Sequence, residues 1–280
     1  MLSPLRKESP VRKWWRVIWP VVMHFLIFQL SGNLILLLLM SLSGQQGITV
    51  YNENAIAVTG VAGLCVLFPA LFLYKRDHAR RMAGGLLPGV GENRLSLWDC
   101  VLVLIPGAGA AHFFSMVVSI LQIFIRSTAY QESIAQITEG KSLLMMIFWM
   151  GIIAPISEEV VFRWLVYLRL RDYMKTGAAA VISGVIFGVY HGNIIQAIYA
   201  SIMGILFAYV LEMTGNLLGS VLLHIGANTW SLVGTELAAQ MTDPQTIGIF
   251  GMGILILFIF AGVIYAYFLK RGKKRQKRCV

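Results

Sequence analysis

The chain alternates between eight apolar segments and shorter polar or charged stretches. The apolar segments lie at about 17–40, 55–74, 97–125, 142–168, 177–192, 194–212, 217–235 and 247–269. A helix needs about 20 apolar residues to cross the hydrocarbon core of a bilayer, and the first segment meets that length. The pattern predicts an all-α polytopic membrane protein with eight transmembrane helices.

The sequences that connect these segments give little indication of regular secondary structure. Residues 41–54 are polar, and the glycine-rich stretch 84–93 lacks the strand-to-helix context of a phosphate-binding loop. Pro106 and Gly107 are expected to break the third segment, because proline removes a helical hydrogen bond.

Composition excludes a soluble domain of this length. Of the 280 residues, 58% are hydrophobic and 13% are charged, and the mean hydropathy is +0.73. The three cysteines lie far apart and predict neither a disulfide framework nor a thiolate metal site. We therefore expect one membrane domain at 17–269, between a basic tail at 1–16 and a second basic tail at 270–280.

The basic residues, which give the chain a net charge of +10, are distributed as in a membrane protein. The basic residues fall in clusters between apolar segments and form no patch interleaved with aromatic residues, which argues against a nucleic-acid partner. If both termini are cytoplasmic, 21 of the 23 lysines and arginines lie on the cytoplasmic side. The charge pattern thus predicts an N-in and C-in orientation, with the C-terminal tail contacting anionic lipid.

Three charged side chains lie close together inside the fourth apolar segment, in the sequence SEEVVFR at 157–163. Each charge at bilayer depth costs about 2.5 to 3.5 kcal/mol on insertion scales. The three charges therefore need either compensating partners or a functional role. Glu159 and Arg163 are spaced i and i+4 with the acid first, which favours an ion pair within the helix. Glu158 is rotated about 100° away and remains available for another partner. Pro155, just upstream, frees a backbone carbonyl and is expected to kink the helix around a wet cavity.

Three polar side chains on other predicted helices are candidates for that partner: His191, His224 and Asn228. Counted from the cytoplasmic end of each helix at 1.5 Å per residue, they and Glu158 lie between the cytoplasmic half and the midplane of the bilayer. Phe187 shares a helix face with His191, and Asn228 shares one with His224, because both pairs are spaced i and i+4. The shared depth predicts one polar site.

The other histidines have a simpler interpretation, because a lone histidine in an apolar helix is usually a hydrogen-bonded packing residue. We expect this of His24 and His112. His78, which lies among basic residues, is expected at the membrane interface.

A carboxylate, two imidazoles and an amide in a medium of low dielectric constant suit the activation of water and the stabilisation of an oxyanion. Ser157 and Ser183 lie nearby, but the sequence shows no base for either, so a covalent route has less support. The same groups also suit the proton relay of a transporter. Against a transporter, the two halves of the chain contain no inverted repeat and no paired broken helices.

Three stretches resemble the motifs of a known family. They are EEVVFR at 158–163, FGVYH at 187–191 and HIGAN at 224–228, which resemble the motifs EExxxR, FxxxH and HxxxN. These motifs define the CPBP family of CAAX proteases and bacteriocin-processing proteins, also called Abi, whose members are intramembrane endopeptidases. The resemblance covers about 154–232, and the three motifs are specific through their common order and spacing.

The resemblance implies an eight-helix membrane endopeptidase with four catalytic residues, which are Glu158, His191, His224 and Asn228. It implies that the first two activate the attacking water and that the last two stabilise the oxyanion. Three further residues would support the site: Glu159, Arg163 and Phe187. Trp164 stands where the family commonly has glycine, a difference that bears on local packing and substrate entry.

The resemblance does not decide whether the site contains a metal ion, since family members have been described both as metalloproteases and as a metal-independent glutamate-type protease. This chain has no HExxH motif. Glu158, His191 and His224 would nevertheless suit zinc with an open coordination position. We expect water activation without a metal, and zinc is the alternative.

The expected substrate is a peptide or a membrane-anchored protein, and the expected location is a bacterial plasma membrane with the site in the cytoplasmic half. Prenylated CaaX proteins are the substrates of eukaryotic relatives, whereas short bacterial members resemble proteins of peptide processing, signalling or bacteriocin self-immunity. A non-catalytic immunity or scaffold protein that retains the motifs is a further alternative. The sequence does not fix the oligomeric state.

Overall fold

A computed structural model of the chain describes residues 8–86, 93–125, 132, 135 and 138–276, and these residues form helices and no strand. The helices with fully described bounds are α1 (Pro10–Ser43), α2 (Gln46–Glu53), α3 (Ala55–Ala83), α4 (Leu97–Ile125), α5 (Leu143–Arg171), α6 (Thr176–Tyr190), α7 (Ile194–Thr214), α8 (Leu217–Ala239) and α9 (Pro244–Gln276). Parts of both predicted basic tails and most of the glycine-rich connector, at 1–7, 277–280 and 87–92, lie outside the described residues.

Within the described residues, seven helices are long and apolar enough to cross a membrane. They are α1, α3, α5, α7 and α8, together with Leu97–Ser115 of α4 and Gln245–Tyr267 of α9. Helix α6 is apolar but has only 15 residues. The prediction of an all-α, multi-pass membrane protein is confirmed, whereas the eighth span and the orientation of the termini stay predictions.

The expected break at Pro106 and Gly107 is wrong, because α4 continues through both residues. A proline inside a membrane helix removes one backbone hydrogen bond, and neighbouring helices and small local adjustments make that loss tolerable. Helices α1 and α3 likewise contain Pro20 and Pro69 in their interiors.

The polar connection at 41–54 contains the short helix α2. Helix α1 ends at Gly44, whose φ of 57° lies in the left-handed region that favours glycine. Helix α2 then packs on α1, and Gly47 approaches the backbone of Leu39 so closely that a Cβ would overlap it.

The helices group into two compact units. The first unit comprises Met1–Pro88 and Ser133–Lys175 and contains α1, α2, α3 and α5. The second unit comprises Gly89–Glu132 and Thr176–Val280 and contains α4 and α6 to α9. In the first unit α1 packs on α3, and both contact α5. In the second unit α4 packs on α8 and α9, and α6 packs on α7.

A buried network of charges joins α1, α3 and the end of α5 in the first unit. Asp77 accepts a hydrogen bond from Nε of Arg169 at 2.5 Å, and Asp172 accepts one from Nε of Arg81 at 2.8 Å. Nη2 of Arg16 lies 3.0 Å from Asp172 and 3.7 Å from Asp77, so it connects the two pairs. From the sequence, these arginines were expected only to orient the chain. The aspartates within the same basic clusters were the signal for a network.

Candidate active site

Helix α5 carries both glutamates, and its backbone changes type along its length. Its α-helical turns at Leu143–Met146, Ala154–Glu159 and Leu168–Arg171 alternate with π-helical segments at Ile147–Ile153 and Val160–Tyr167. Backbone bonds in a π-helix join residues i and i+5, and such segments occur frequently at functional sites. Pro155 lies in the first turn of the middle α-helical segment, and the kink around a wet cavity expected there stays a prediction.

Glu159 and Arg163 form the ion pair that their spacing predicted. Oε2 of Glu159 lies 3.4 Å from Nε of Arg163, and both side chains are fully buried. A buried charge of this kind is tolerated only while its partner is present. Glu158 is partly exposed, and Arg163 also interacts electrostatically with it. Of the two carboxylates, Glu158 is therefore the more accessible one.

Two glycines of α3 let α5 approach closely on the N-terminal side of the motif. Gly60 has no room for a Cβ against the ring of Trp149, and a Cβ on Gly63 would lie 3.0 Å from Oγ of Ser157. The Ser157 hydroxyl donates a hydrogen bond to the carbonyl of Ala154 at 2.9 Å. Ser157 thus hydrogen-bonds to the backbone of its own helix.

His24 and His112 are packing residues, as predicted. The buried ring of His24 stacks on Phe28 at 5.8 Å between centroids and meets Phe162 of the motif at 6.1 Å. In the second unit, Nδ1 of His112 accepts a hydrogen bond from Nε1 of Trp230 at 3.0 Å. The imidazoles of His24 and His112 therefore each contact neighbouring aromatic side chains.

Trp164 packs against α3 in the first unit. Its ring lies 5.3 Å from the ring of Tyr74, which in turn stacks on His78 at 5.8 Å. The large side chain at this position is thus accommodated in a row of aromatic rings along α3 and α5.

His191 lies in the turn that follows α6. Its Nδ1 atom is 2.9 Å from the carbonyl oxygen of Phe187, and its ring meets the Phe187 ring edge-on with centroids 4.8 Å apart. A carbonyl oxygen only accepts, so Nδ1 carries the hydrogen and Nε2 keeps the lone pair of the neutral ring. Gly192, with a φ of 78°, makes the turn that places the histidine beyond Tyr190.

His224 is buried on α8 among aromatic rings. Its ring stacks on Phe207 of α7, with centroids 4.4 Å apart and an interplanar angle of 23°. Phe187 of α6 meets the same imidazole edge-on, at 5.8 Å and 87°. Asn228, the other half of the motif, lies one turn further along α8 and is partly exposed. Three helices therefore contribute to the surroundings of one imidazole.

The backbones of α4 and α8 touch directly beside His224. A Cβ built on Gly107 would overlap the carbonyl oxygen of Leu223, and a Cβ built on Gly226 would overlap the carbonyl oxygen of Leu104. This reciprocal contact is possible only because each helix has a glycine where the other helix passes. It fixes the height of α8, and with it His224, against α4.

The predicted site residues divide between the two units. The first unit holds Glu158, Glu159 and Arg163, and the second unit holds Phe187, His191, His224 and Asn228. The roles of three further residues were missed from the sequence: Phe207, which contacts Phe187 and His224, and the two glycines at the contact between α4 and α8, Gly107 and Gly226. Phe207 carried no signal, because one phenylalanine in an apolar helix resembles any other. Among the described residues, no group of three His, Cys, Asp or Glu side chains could hold a metal ion.

Comparisons with known proteins indicate a membrane peptidase. Residues 140–230, which include all of the predicted site residues, match the family model described as type II CAAX prenyl endopeptidase Rce1-like. The chain is also similar to a Bacillus subtilis (strain 168) protein named "Putative membrane peptidase YdiL", with 22% identity over 223 residues, 77% of this chain and 87% of that protein. No solved structure matches the chain significantly. The resemblance to the CPBP family is thereby confirmed, and these matches support a membrane peptidase of the CAAX type.

Proposed function

We propose that this protein is an intramembrane endopeptidase that hydrolyses a peptide bond in a peptide or a membrane-anchored protein. The observation that carries the proposal is the position of the three motifs, in order, inside the segment 140–230 that matches the endopeptidase family. The chemistry of the side chains agrees with it, since a carboxylate, two imidazoles and an amide are the groups that hydrolysis by activated water needs.

In the proposed mechanism, Glu158 and His191 remove a proton from a water molecule, and the resulting hydroxide attacks the carbonyl carbon of the scissile bond. Nε2 of His191 is the atom that accepts the proton, because Nδ1 is engaged with the backbone. The carbonyl oxygen becomes an oxyanion that His224 and Asn228 stabilise through hydrogen bonds. When the intermediate collapses, the C–N bond breaks and the stored proton passes to the leaving amine.

We propose that the reaction needs no metal ion, and zinc remains the alternative. One carboxylate and two imidazoles are a donor set that zinc accepts, and Nε2 of His191 offers a lone pair of the right kind. The ligands would be Glu158, His191 and His224, which do not form a metal-binding group among the described residues, and the ion would act as a Lewis acid that lowers the pKa of a coordinated water. Metal analysis of the purified, active protein distinguishes the two forms.

The proposed topology has eight membrane crossings with both termini in the cytoplasm. It rests on the distribution of lysine and arginine along the chain and requires the 15-residue helix α6 to serve as the additional crossing. The protein would then act in a bacterial plasma membrane, with Glu158 in the cytoplasmic half. Reporter fusions at residue 280 and within the connection at 41–54 test this topology, and the expected result is a cytoplasmic reporter only at residue 280.

The decisive experiment compares the membrane peptidome of cells that carry the wild-type protein with cells that carry Glu158→Gln. The matched control is Glu236→Gln on α8, an exposed glutamate that hydrogen-bonds to Gln240. Peptides that disappear with Glu158→Gln but persist with Glu236→Gln identify the substrate. Cleavage that survives Glu158→Gln refutes the proposal and favours a non-catalytic immunity or scaffold protein. Proton-coupled uptake into vesicles would favour a transporter.

A further inference from the structure

Phe207 lies against one of the proposed catalytic side chains although it belongs to none of the three motifs. It is on α7 and is only 1% exposed. Its ring is nearly parallel to the imidazole of His224, with centroids 4.4 Å apart. Stacking is a preferred arrangement of aromatic rings.

The orientation of the His224 ring is restricted on two sides. Phe207 covers one face, and Phe187 meets the imidazole edge-on at 5.8 Å. The two phenylalanines also contact each other, with centroids 6.3 Å apart, so the three rings form one aromatic cluster. An imidazole turns about only two side-chain torsions, and the stacked ring blocks rotation about the second. The ring nitrogens of His224 are thereby confined to one plane.

We propose that Phe207 is a positioning residue for His224, fixing the plane in which its ring nitrogen donates a hydrogen bond to the oxyanion. This inference rests on the proposed function, which gives His224 that role. A donor stabilises an oxyanion only when it already points to the position that the oxygen will occupy. Phe207 supplies this orientation without touching the substrate.

The first test does not depend on activity. The protein is purified in detergent micelles with 13C-labelled histidine, and the Cε1–H signal of His224 is assigned by its loss in His224→Asn. The ring current of Phe207 should shift this signal upfield in the wild-type protein, and Phe207→Leu should move it downfield. The matched control is Phe114→Leu on α4, another buried phenylalanine of the second unit, and it should leave the signal in place. An unmoved signal in Phe207→Leu overturns the inference.

The second test measures kcat and KM for a peptide that the wild-type protein cleaves. Phe207→Leu and Phe207→Met, which keep an apolar side chain but lose the ring, should lower kcat by about tenfold or more and change KM by less than about twofold. Phe207→Tyr, which keeps the ring, should recover most of kcat. Thermal unfolding of each variant, with Phe114→Leu as the reference, shows whether the fold is retained.

Failure of the positioning role of Phe207 can be distinguished from failure of the proposed function. If Phe207→Leu lowers kcat no more than Phe114→Leu, or if Phe207→Tyr is as slow as Phe207→Leu, the positioning role is refuted while the proposed hydrolysis stands. If Glu158→Gln cleaves as fast as the wild-type protein, the proposed function is refuted, whatever the His224 signal does.

Discussion

Nδ1 of His191 donates a hydrogen bond to the backbone carbonyl of Phe187, four residues earlier and 2.9 Å away. This one bond selects the tautomer of the ring and leaves Nε2 as the nitrogen that can accept a proton or bind a metal. The FxxxH spacing thus has a physical meaning beyond the shared helix face, since the residue at the phenylalanine position also supplies the carbonyl that orients the histidine.

Two substitutions of His191 distinguish the roles of its two ring nitrogens in stability and catalysis. His191→Asn keeps a donor near the position of Nδ1, whereas His191→Gln places its amide near the position of Nε2. Both lack a base, so kcat should fall by about 10² to 10⁴ in each. His191→Asn should unfold at nearly the wild-type temperature, and His191→Gln should lose about 0.5 to 1.5 kcal/mol with its hydrogen bond. Kinetics and thermal unfolding check this, with His78→Asn as the control. Activity within threefold of wild type in His191→Asn would contradict a role as base.

The buried ion pair predicts that neighbouring glutamates differ sharply in their effect on stability. Glu159→Gln leaves the Arg163 guanidinium buried without its carboxylate, so the free energy of unfolding should fall by about 3 to 5 kcal/mol. Glu158→Gln removes a partly exposed carboxylate and should change that free energy by less than about 1 kcal/mol. Equilibrium unfolding in mixed micelles measures both. Equal losses in the two variants would mean that Glu159 has no special structural role.

The sequence predicted the membrane class, most of the helices and the Glu159–Arg163 pair, because these follow from local spacing and from the cost of charge in lipid. It did not predict the contacts that hold His224, since Phe207 and Gly107 come from distant parts of the chain and are ordinary residues of apolar helices. The π-helical segments of α5 were likewise missed. The first of them contacts α3 and the second contacts α1 and α3, and a spacing rule for regular helices describes neither segment.

The charge network at the end of α5 predicts strong coupling between two residues that are far apart in sequence. Asp172→Asn leaves the buried Arg81 without its carboxylate partner and should lower the free energy of unfolding by about 3 to 5 kcal/mol. Arg81→Met in the same protein should restore part of that loss, because the uncompensated charge is gone. A double-mutant cycle measures the coupling, expected at about 0.5 to 3 kcal/mol. Additive losses would show that the two side chains do not depend on each other.

The raised pKa of Tyr173 predicts that the protein loses stability at alkaline pH. Burial raises the pKa of this phenol above its ordinary value of about 10, although its hydrogen bond from Arg16 opposes the shift. Since the folded state favours the neutral form, the stabilisation is present below pH 10 and is lost as the pH rises above it. Thermal unfolding between pH 8 and pH 11 should show a steeper decline for the wild-type protein than for Tyr173→Phe. Parallel declines would contradict this assignment.

The backbone contact between α4 and α8 predicts that one methyl group, added outside the motifs, reduces activity. In Gly107→Ala the new Cβ would overlap the carbonyl oxygen of Leu223, a backbone atom that no side-chain rotation can remove, so α8 must shift. The shift would displace His224 and should lower kcat by about tenfold or more, with a loss of about 1 to 3 kcal/mol in stability. Gly248→Ala on α9, where a Cβ meets nothing within 4 Å, is the control. If Gly107→Ala cleaves as fast as Gly248→Ala, the contact does not position His224.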